Sequence, residues 1–187
     1  GVEVDPLKAA LWFRKAAEMG NQYAQYDLGE CYATGSGVEK DTDQALSWFL
    51  KAAEQDYPLA QFELGRIYRN GEGVDKDLEQ SFLWLKKAAR HEYFEHAQYL
   101  IGISYDLGIG VEKDTSQAVI WYQKAADKGH ADAQDALGYH YQHGDGVATD
   151  LVQAVAWYRK SAEQGNAGAQ NHLANCYLGG FGVEKDP

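Results

Sequence analysis

Residues 24–53 read AQYDLGECYATGSGVEKDTDQALSWFLKAA, and residues 133–162 repeat that pattern as AQDALGYHYQHGDGVATDLVQAVAWYRKSA. The pattern recurs along the whole chain. The five tryptophans are spaced 36, 36, 37 and 36 residues apart, at Trp12, Trp48, Trp84, Trp121 and Trp157. Ala-Gln and Gly-Val dipeptides recur with the same spacing. A fixed period of this length predicts a chain built from stacked copies of one supersecondary unit.

Each copy is predicted to contain two helices, one of which begins after the Gly-x-Gly-Val turn. Asp41 precedes an apolar pattern and Gln44 follows three residues later, which is the spacing of a capping box. In such a box the aspartate side chain accepts from a first-turn amide and the glutamine reaches back. One apolar face of this helix has the spacing i, i+3, i+4 and i+7: Ala45, Trp48, Phe49 and Ala52. The tryptophans are therefore interpreted as packing residues, not as sites for a cofactor or a sugar.

The other helix of the copy is predicted over residues 21–34, and it ends at a glycine-rich turn. At about 100° per residue, Ala24, Leu28, Gly29 and Tyr32 fall on one side of it, which is the predicted core. Glycine destabilises a helix interior. The recurrence of glycine at the Gly29 position therefore predicts two helices that approach too closely for a side chain.

The charge of the chain argues against nucleic acid and membranes as partners. Seventeen basic residues against 28 acidic ones give a formal net charge of −11. Nucleic acids and anionic lipids both favour positively charged proteins. No apolar run approaches the roughly 20 residues of a membrane-spanning helix. The sequence thus predicts no nucleic acid partner and no membrane insertion.

The repeated motif resembles a known family. Ala-x-x-x-Leu-Gly-x-x-Tyr-x-x-Gly-x-Gly-Val-x-x-Asp, followed by Ala-x-x-Trp-Tyr/Phe-x-Lys-Ala-Ala, is similar to the SEL-one-like repeat (SLR), a relative of the tetratricopeptide repeat. The resemblance implies an all-α fold, a right-handed superhelical solenoid of antiparallel helix pairs with about five SLR units of period 36–37. It also implies a scaffold or adaptor in bacterial envelope biology, host interaction or eukaryotic membrane-protein quality control. The implied location is the bacterial periplasm or the exterior, with the cytoplasm as the alternative.

The ends of the chain lead to two further expectations. Residues 1–187 are expected to form a single SLR solenoid that is a segment of a longer array, because the chain begins and ends at the same phase of the repeat. Asp186 and Pro187 would start another helix. The terminal units of a solenoid normally have a polar outer face. The segment is therefore expected to self-associate through uncapped ends.

The sequence favours a protein without catalysis, cofactor or metal. Cys31 and Cys176 lie four repeats apart, too far for a disulfide. Some family members have been linked to penicillin binding or hydrolysis, but the Ser-x-x-Lys motif does not occur in this sequence. His140, His143 and Asp145 could in principle bind a metal. However, His140 lies at the flank of the packed face, and it is interpreted as a partly buried histidine without a ligand.

The helix at residues 21–34 and its equivalents also carry a face that differs between copies, which we call the variable stripe. In tetratricopeptide-like solenoids this helix lines the inner, concave surface, so the resemblance implies that the stripe binds a partner. The predicted partner-binding residues are Tyr23, Tyr26, Glu30, Phe62, Arg66, Arg69, Asn70, Tyr99, Ile103, Asp106, Asp132, Asp135, Tyr139, Gln142, His143, Asn171 and Asn175.

The composition of the variable stripe favours a protein or peptide ligand. Its aromatic residues are of the type that anchors interfaces, and they are Tyr26, Phe62, Tyr99 and Tyr139. Arg66 and Arg69 are predicted to meet an acidic part of the ligand, and Asp132 and Asp135 a basic part. The simpler interpretation is that these charges pair with neighbours or water.

The sequence therefore predicts a non-catalytic scaffold that binds a protein or peptide in its groove. One alternative is a binder of a small ligand or a cell-wall fragment, or an enzyme resembling a β-lactamase, with a pocket in the groove. The other is an architectural spacer.

Overall fold

The computed structural model describes residues 4–92 and 94–183, and these residues form ten helices and no strand. The helices are α1 (Pro6–Glu18), α2 (Gln22–Thr34), α3 (Thr42–Glu54), α4 (Pro58–Asn70), α5 (Leu78–Ala88), α6 (Glu95–Leu107), α7 (Thr115–Ala126), α8 (Ala131–His143), α9 (Leu151–Glu163) and α10 (Ala167–Gly179). No helix in the described ranges has both the length and the apolar content to cross a membrane. Asp186 and Pro187, the predicted start of a further helix, lie outside these ranges.

The chain divides into two compact units, residues 1–91 with α1–α5 and residues 92–187 with α6–α10. Within each unit every helix packs against its neighbours in the chain. The connections are short, so successive helices run antiparallel. We call the odd-numbered helices, which carry the tryptophans, A helices, and the even-numbered ones, which carry the variable stripe, B helices. The predicted all-α solenoid of helix pairs is confirmed, while its right-handed superhelical twist stays a prediction.

Aspartate caps start the A helices, as the sequence predicted. The Asp41 side chain accepts the main-chain N–H of Gln44 at 3.0 Å, and the aspartates of the other copies do the same. The reciprocal half of the capping box was predicted wrongly. The main-chain N–H of Asp41 donates to the carbonyl oxygen of Tyr32 at 3.0 Å, so the preceding B helix occupies the donor that Gln44 was expected to reach.

The glutamine of four Ala-Gln dipeptides has a structural role that the sequence analysis missed. Its side-chain amide donates to a main-chain oxygen near the end of the preceding A helix, eight residues earlier. The pairs are Gln25 with Ala17 (3.2 Å), Gln61 with Ala53 (3.2 Å), Gln134 with Ala126 (3.0 Å) and Gln170 with Ala162 (3.3 Å). Because helix ends leave carbonyl groups without intrahelical partners, these bonds connect α1 to α2, α3 to α4, α7 to α8 and α9 to α10.

Three of the tryptophans pack between copies, which agrees with their interpretation as packing residues, whereas Trp12 is 67% exposed. Trp48 and Trp84 each lie against the apolar cluster of the preceding copy, and Trp157 forms part of that cluster. Every tryptophan also lies under the ammonium group of a lysine three residues later. The distances from Nζ to the ring are 4.3 Å for Trp12 and Lys15, 3.8 Å for Trp48 and Lys51, 3.8 Å for Trp84 and Lys87, 4.0 Å for Trp121 and Lys124 and 3.8 Å for Trp157 and Lys160. These cation–π contacts explain the recurring Trp-x-x-Lys spacing.

The glycines within the B helices leave room for a bulky side chain of the next A helix. A Cβ atom on Gly29 would lie 2.6 Å from the ring of Phe49, and one on Gly138 would lie 2.6 Å from the ring of Tyr158. The predicted close approach is thus present, but the neighbour is a side chain.

The outer apolar faces of α1 and α10 are exposed, with Leu11 and Trp12 on the first and Leu178 on the second. Self-association through such faces stays a prediction.

Candidate functional site

The seventeen residues of the predicted surface all lie on B helices, and none of them is fully buried. They contrast with the core positions of the same helices, where Ala60, Leu64, Leu137 and Ala133 have no exposed surface. The variable stripe is therefore not fully buried in either unit, although Tyr26, Tyr99 and Ile103 pack against the hydrophobic core. Its role in binding stays a prediction.

In the first unit, the stripe residues of α2 join an aromatic cluster with Tyr57, the residue before α4. The ring of Tyr57 lies 5.3 Å from that of Tyr23 and 5.4 Å from that of Tyr26, both edge to face. Burial raises the pKa of Tyr26 and of Tyr57. Sequence reasoning missed Tyr57 because it precedes its helix and so lay outside the stripe.

Arg66 is already engaged within the protein. Its Nε donates to Glu63 at 2.8 Å, and its NH1 group donates to both oxygens of Glu72. Asn70 donates to the same Glu72 carboxylate at 2.7 Å. The simpler interpretation therefore holds for Arg66, since an acidic ligand would have to displace two carboxylates. Arg69 forms no ion pair among the described residues.

An open cleft of about 600 Å³ lies beside Arg66, with Glu30 and Glu63 in its wall. Burial raises the pKa of Glu30, and the nearby Glu63 raises it further, while Arg66 opposes the shift. The cleft thus combines one arginine with several carboxylates.

The acidic part of the stripe in the second unit is engaged as well. The Asp132 carboxylate accepts from Asn166 at 2.7 Å, and an Asp135 oxygen lies 2.8 Å from Nδ1 of His172. Both partners belong to the next copy. The side chains predicted to meet a basic ligand therefore also connect neighbouring copies.

Tyr99 and His130 stack in the second unit, with ring centroids 4.6 Å apart. His130 is the N-cap of α8, and its Nδ1 accepts the N–H of Ala133 at 3.3 Å. Its proton must then sit on Nε2, which lies 3.2 Å from Nδ1 of His96. Burial lowers the pKa of His130, and His96 lowers it further, while Asp132 and Glu95 act in the opposite direction.

We expect the cap at His130 to make the protein acid-sensitive. The folded state lowers the pKa of His130, so its contribution is complete above the unfolded value of 6.5 and is lost as the pH falls through the lower folded value. Protonation puts a hydrogen on Nδ1, which then cannot accept the Ala133 N–H, at a cost of about 1 kcal/mol. Urea unfolding across this pH range measures the loss.

The matched variant for this prediction is His130→Asn, because Asn21 and Asn166 cap the equivalent helices. Asparagine does not titrate, so this variant should show a shallower dependence of stability on pH below 6.5. Equal slopes in the variant and the parent would contradict the assignment.

The sequence proposed His140, His143 and Asp145 as the only metal-ligand candidates, and the structure separates His143 from the other two. His143 Nδ1 bonds to the main-chain oxygen of Tyr139 at 2.8 Å, and its ring stacks on Tyr139 at 4.1 Å. In its place Asp106 joins His140 and Asp145, and one ligand atom from each lies within 4.8 Å of the others. His140 is 2% exposed, so it is more deeply buried than predicted.

The cysteines take no part in this surface. Cys31 and Cys176 are free and buried, and burial raises the pKa of both thiols.

Comparison with protein families identifies the repeat. The Sel1 repeat family model matches residues 1–21, 22–57, 58–93, 95–130, 131–166 and 167–187. The chain belongs to the Sel1 repeat family. The four longer matches each contain a B helix and the A helix that follows it. Sel1 repeats generally mediate protein interactions, and proteins of the family are typically non-enzymatic scaffolds.

Solved structures of bacterial proteins are similar to this Sel1 repeat protein. It is 42% identical to the protective antigen c5321 of uropathogenic Escherichia coli, which displays an SLR fold, with a TM-score of 0.89 over 94% of this chain. This chain spans 38% of the length of that antigen. It is 41% identical to a Sel1 repeat protein of Oxalobacter formigenes, with a TM-score of 0.83, covering all of this chain and 76% of that one.

A more distant structure is the cysteine rich protein B of Helicobacter pylori, with 28% identity and a TM-score of 0.53. The match covers 67% of this chain and 90% of that protein. No curated protein matches the chain.

Proposed function

We propose that this Sel1 repeat protein is a non-catalytic scaffold that binds a protein or peptide through the variable stripe. The observation that supports the proposal is a difference between the core face and the variable stripe of the B helices. In α2, α4, α6 and α8 the alanine, the leucine or isoleucine and the glycine of the core face recur and are buried, whereas the stripe positions change from copy to copy and are not fully buried.

Exposed tyrosines are the anchors of the proposed surface. Tyr23 is 58% exposed and Tyr139 is 45% exposed. Tyrosine is enriched among interface residues because it combines a large apolar ring with a polar hydroxyl. Arg69 replaces Arg66 as the cation proposed to meet an acidic group of the ligand, since Arg66 is held by Glu63 and Glu72.

The proposal is tested with a peptide selected from a random display library on the immobilised protein. Titration calorimetry then gives the dissociation constant of the synthetic peptide. We expect Tyr139→Ala to weaken binding by about tenfold or more.

Ile120→Ala is the matched control, because Ile120 is 47% exposed and lies on α7, an A helix. This variant should bind the peptide as the parent does. Equal weakening by the two variants, or loss only with Ile120→Ala, would overturn the placement of the surface.

A further inference from the structure

Three side chains of the second unit converge where two B helices end. Asp106 lies in the last turn of α6, His140 in the last turn of α8, and Asp145 in the turn that follows α8. Helix C-termini carry partial negative charge. The main-chain carbonyl groups at this position therefore favour a cation independently of the side chains.

The hydrogen bond of His140 determines which ring nitrogen is available. Nδ1 lies 2.8 Å from the main-chain oxygen of Asp145, and a carbonyl can only accept, so Nδ1 carries the proton. In the neutral ring the lone pair is then on Nε2, which faces the Asp106 carboxylate. Histidines that bind metals are usually held in this way by a carbonyl or carboxylate on the other nitrogen.

The distance between Nε2 and the carboxylate fits a bridging ion better than a direct hydrogen bond. Nε2 of His140 lies 3.5 Å from Oδ2 of Asp106. Direct hydrogen bonds between such atoms are about 2.7–3.2 Å long. Two ligands of one tetrahedral zinc ion, each at about 2.0–2.1 Å, are about 3.4 Å apart. The Asp145 carboxylate, within 4.8 Å of both atoms, provides a third ligand after a small rotation.

The charges of the cluster also match a divalent ion. Two carboxylates and a neutral imidazole carry a formal charge of −2, and no lysine or arginine in the described ranges pairs with Asp106 or Asp145.

The repeat does not need these residues for folding. The positions equivalent to His140 hold Cys31, Ile67, Ser104 and Cys176. Those equivalent to Asp106 hold Ala33, Arg69, Gln142 and Leu178, and those equivalent to Asp145 hold Ser36, Glu72, Ile109 and Phe181. Among the residues that the structure describes, one group of three such ligands lies close together, so the cluster is an addition to the repeat.

We propose that Asp106, His140 and Asp145 bind a divalent transition metal ion, with Zn²⁺ the ion to test first. One nitrogen and two carboxylate oxygens suit zinc, and three protein ligands leave a coordination position for water. The site does not depend on the proposed partner surface, although Asp106 belongs to both.

The test is calorimetric titration of the full chain, free of any purification tag and stripped with a chelator, with ZnCl₂. The expected result is one bound equivalent that disappears in His140→Ile, where Ile67 is the chain's own precedent, and in Asp106→Asn. Substituting Co²⁺ should give the visible absorption of a low-coordinate site, and the same variants should abolish it.

Two controls separate ligation from folding and from other histidines. Asp145→Asn keeps the main-chain carbonyl that holds His140, and it should weaken zinc binding by at least about tenfold while unfolding like the parent. His130→Asn should retain the full equivalent, because its ring lies outside the cluster.

Three outcomes would overturn the proposal. They are the absence of zinc binding by the parent, equal binding by the parent and His140→Ile, or loss of the equivalent in His130→Asn alone. An NMR titration that shows His140 as an imidazolium near neutral pH in a parent that binds no zinc would assign the contact to an ion pair with Asp106.

Discussion

Replacing Gly138 with valine is expected to lower the free energy of unfolding by about 3 kcal/mol, the upper end of what overpacking costs. The added Cβ would lie 2.6 Å from Cδ1 of Tyr158. That ring has no exposed surface, and its hydroxyl donates to Gln142 at 2.9 Å, so it has no free space to move into. Urea unfolding followed by circular dichroism measures the change.

Ala174→Val is the matched control for Gly138. Ala174 occupies the equivalent position of α10, where the side chain is exposed. Valine there should cost only its lower helix propensity, about 0.5 kcal/mol. Valine has a higher helix propensity than glycine, so propensity alone would favour the Gly138 variant. A loss at Gly138 no larger than the loss at Ala174 would therefore contradict the role assigned to the contact with Tyr158.

The fold was largely predictable because its determinants are local and repeated. Asp41 and its equivalents lie just before an apolar pattern, and Gly29 recurs on the core face, so the helices and their close approach could both be read from spacing. The role of Gln134 could not be predicted in this way. Its partner is a main-chain oxygen, which residue types in the sequence do not identify. The regular recurrence of this glutamine did not show whether it packs in the core or forms a hydrogen bond between helices.

The residues of the variable stripe lie on the B helices, as their spacing predicted, but the contacts that its charged side chains form within the protein could not be read from the sequence. Asp135 bonds to His172, 37 residues later, and Arg66 bonds to Glu72 beyond the end of its helix. Such contacts depend on how neighbouring copies pack, which the position on a single helix does not reveal. For the same reason the sequence grouped His140 with His143, whereas the structure pairs it with Asp106 on the preceding copy.

Replacing Gln134 with glutamate is expected to destabilise the protein by about 3 kcal/mol at neutral pH, because it buries a charge in the same volume. Gln134 is 5% exposed. Its amide donates to the Ala126 carbonyl at 3.0 Å, and its oxygen accepts from Gln164 at 2.7 Å. A carboxylate can still accept from Gln164, but its second oxygen faces the carbonyl oxygen of Ala126 and cannot donate to it.

The loss caused by Gln134→Glu should depend on pH, and this dependence distinguishes a buried charge from a packing defect. Burial raises the folded pKa of the new glutamate above its unfolded value of about 4.3. The protonated acid can donate to Ala126, so the variant should approach the parent in acid and fall behind it as the pH rises through that window. Urea unfolding is measured for the variant and the parent at each pH, and the difference between them cancels the contribution of His130.

Gln170 makes the same bond to Ala162 but is exposed, so Gln170→Glu should cost well under 1 kcal/mol at any pH. A deficit in Gln134→Glu that stayed constant with pH would contradict the role assigned to this amide.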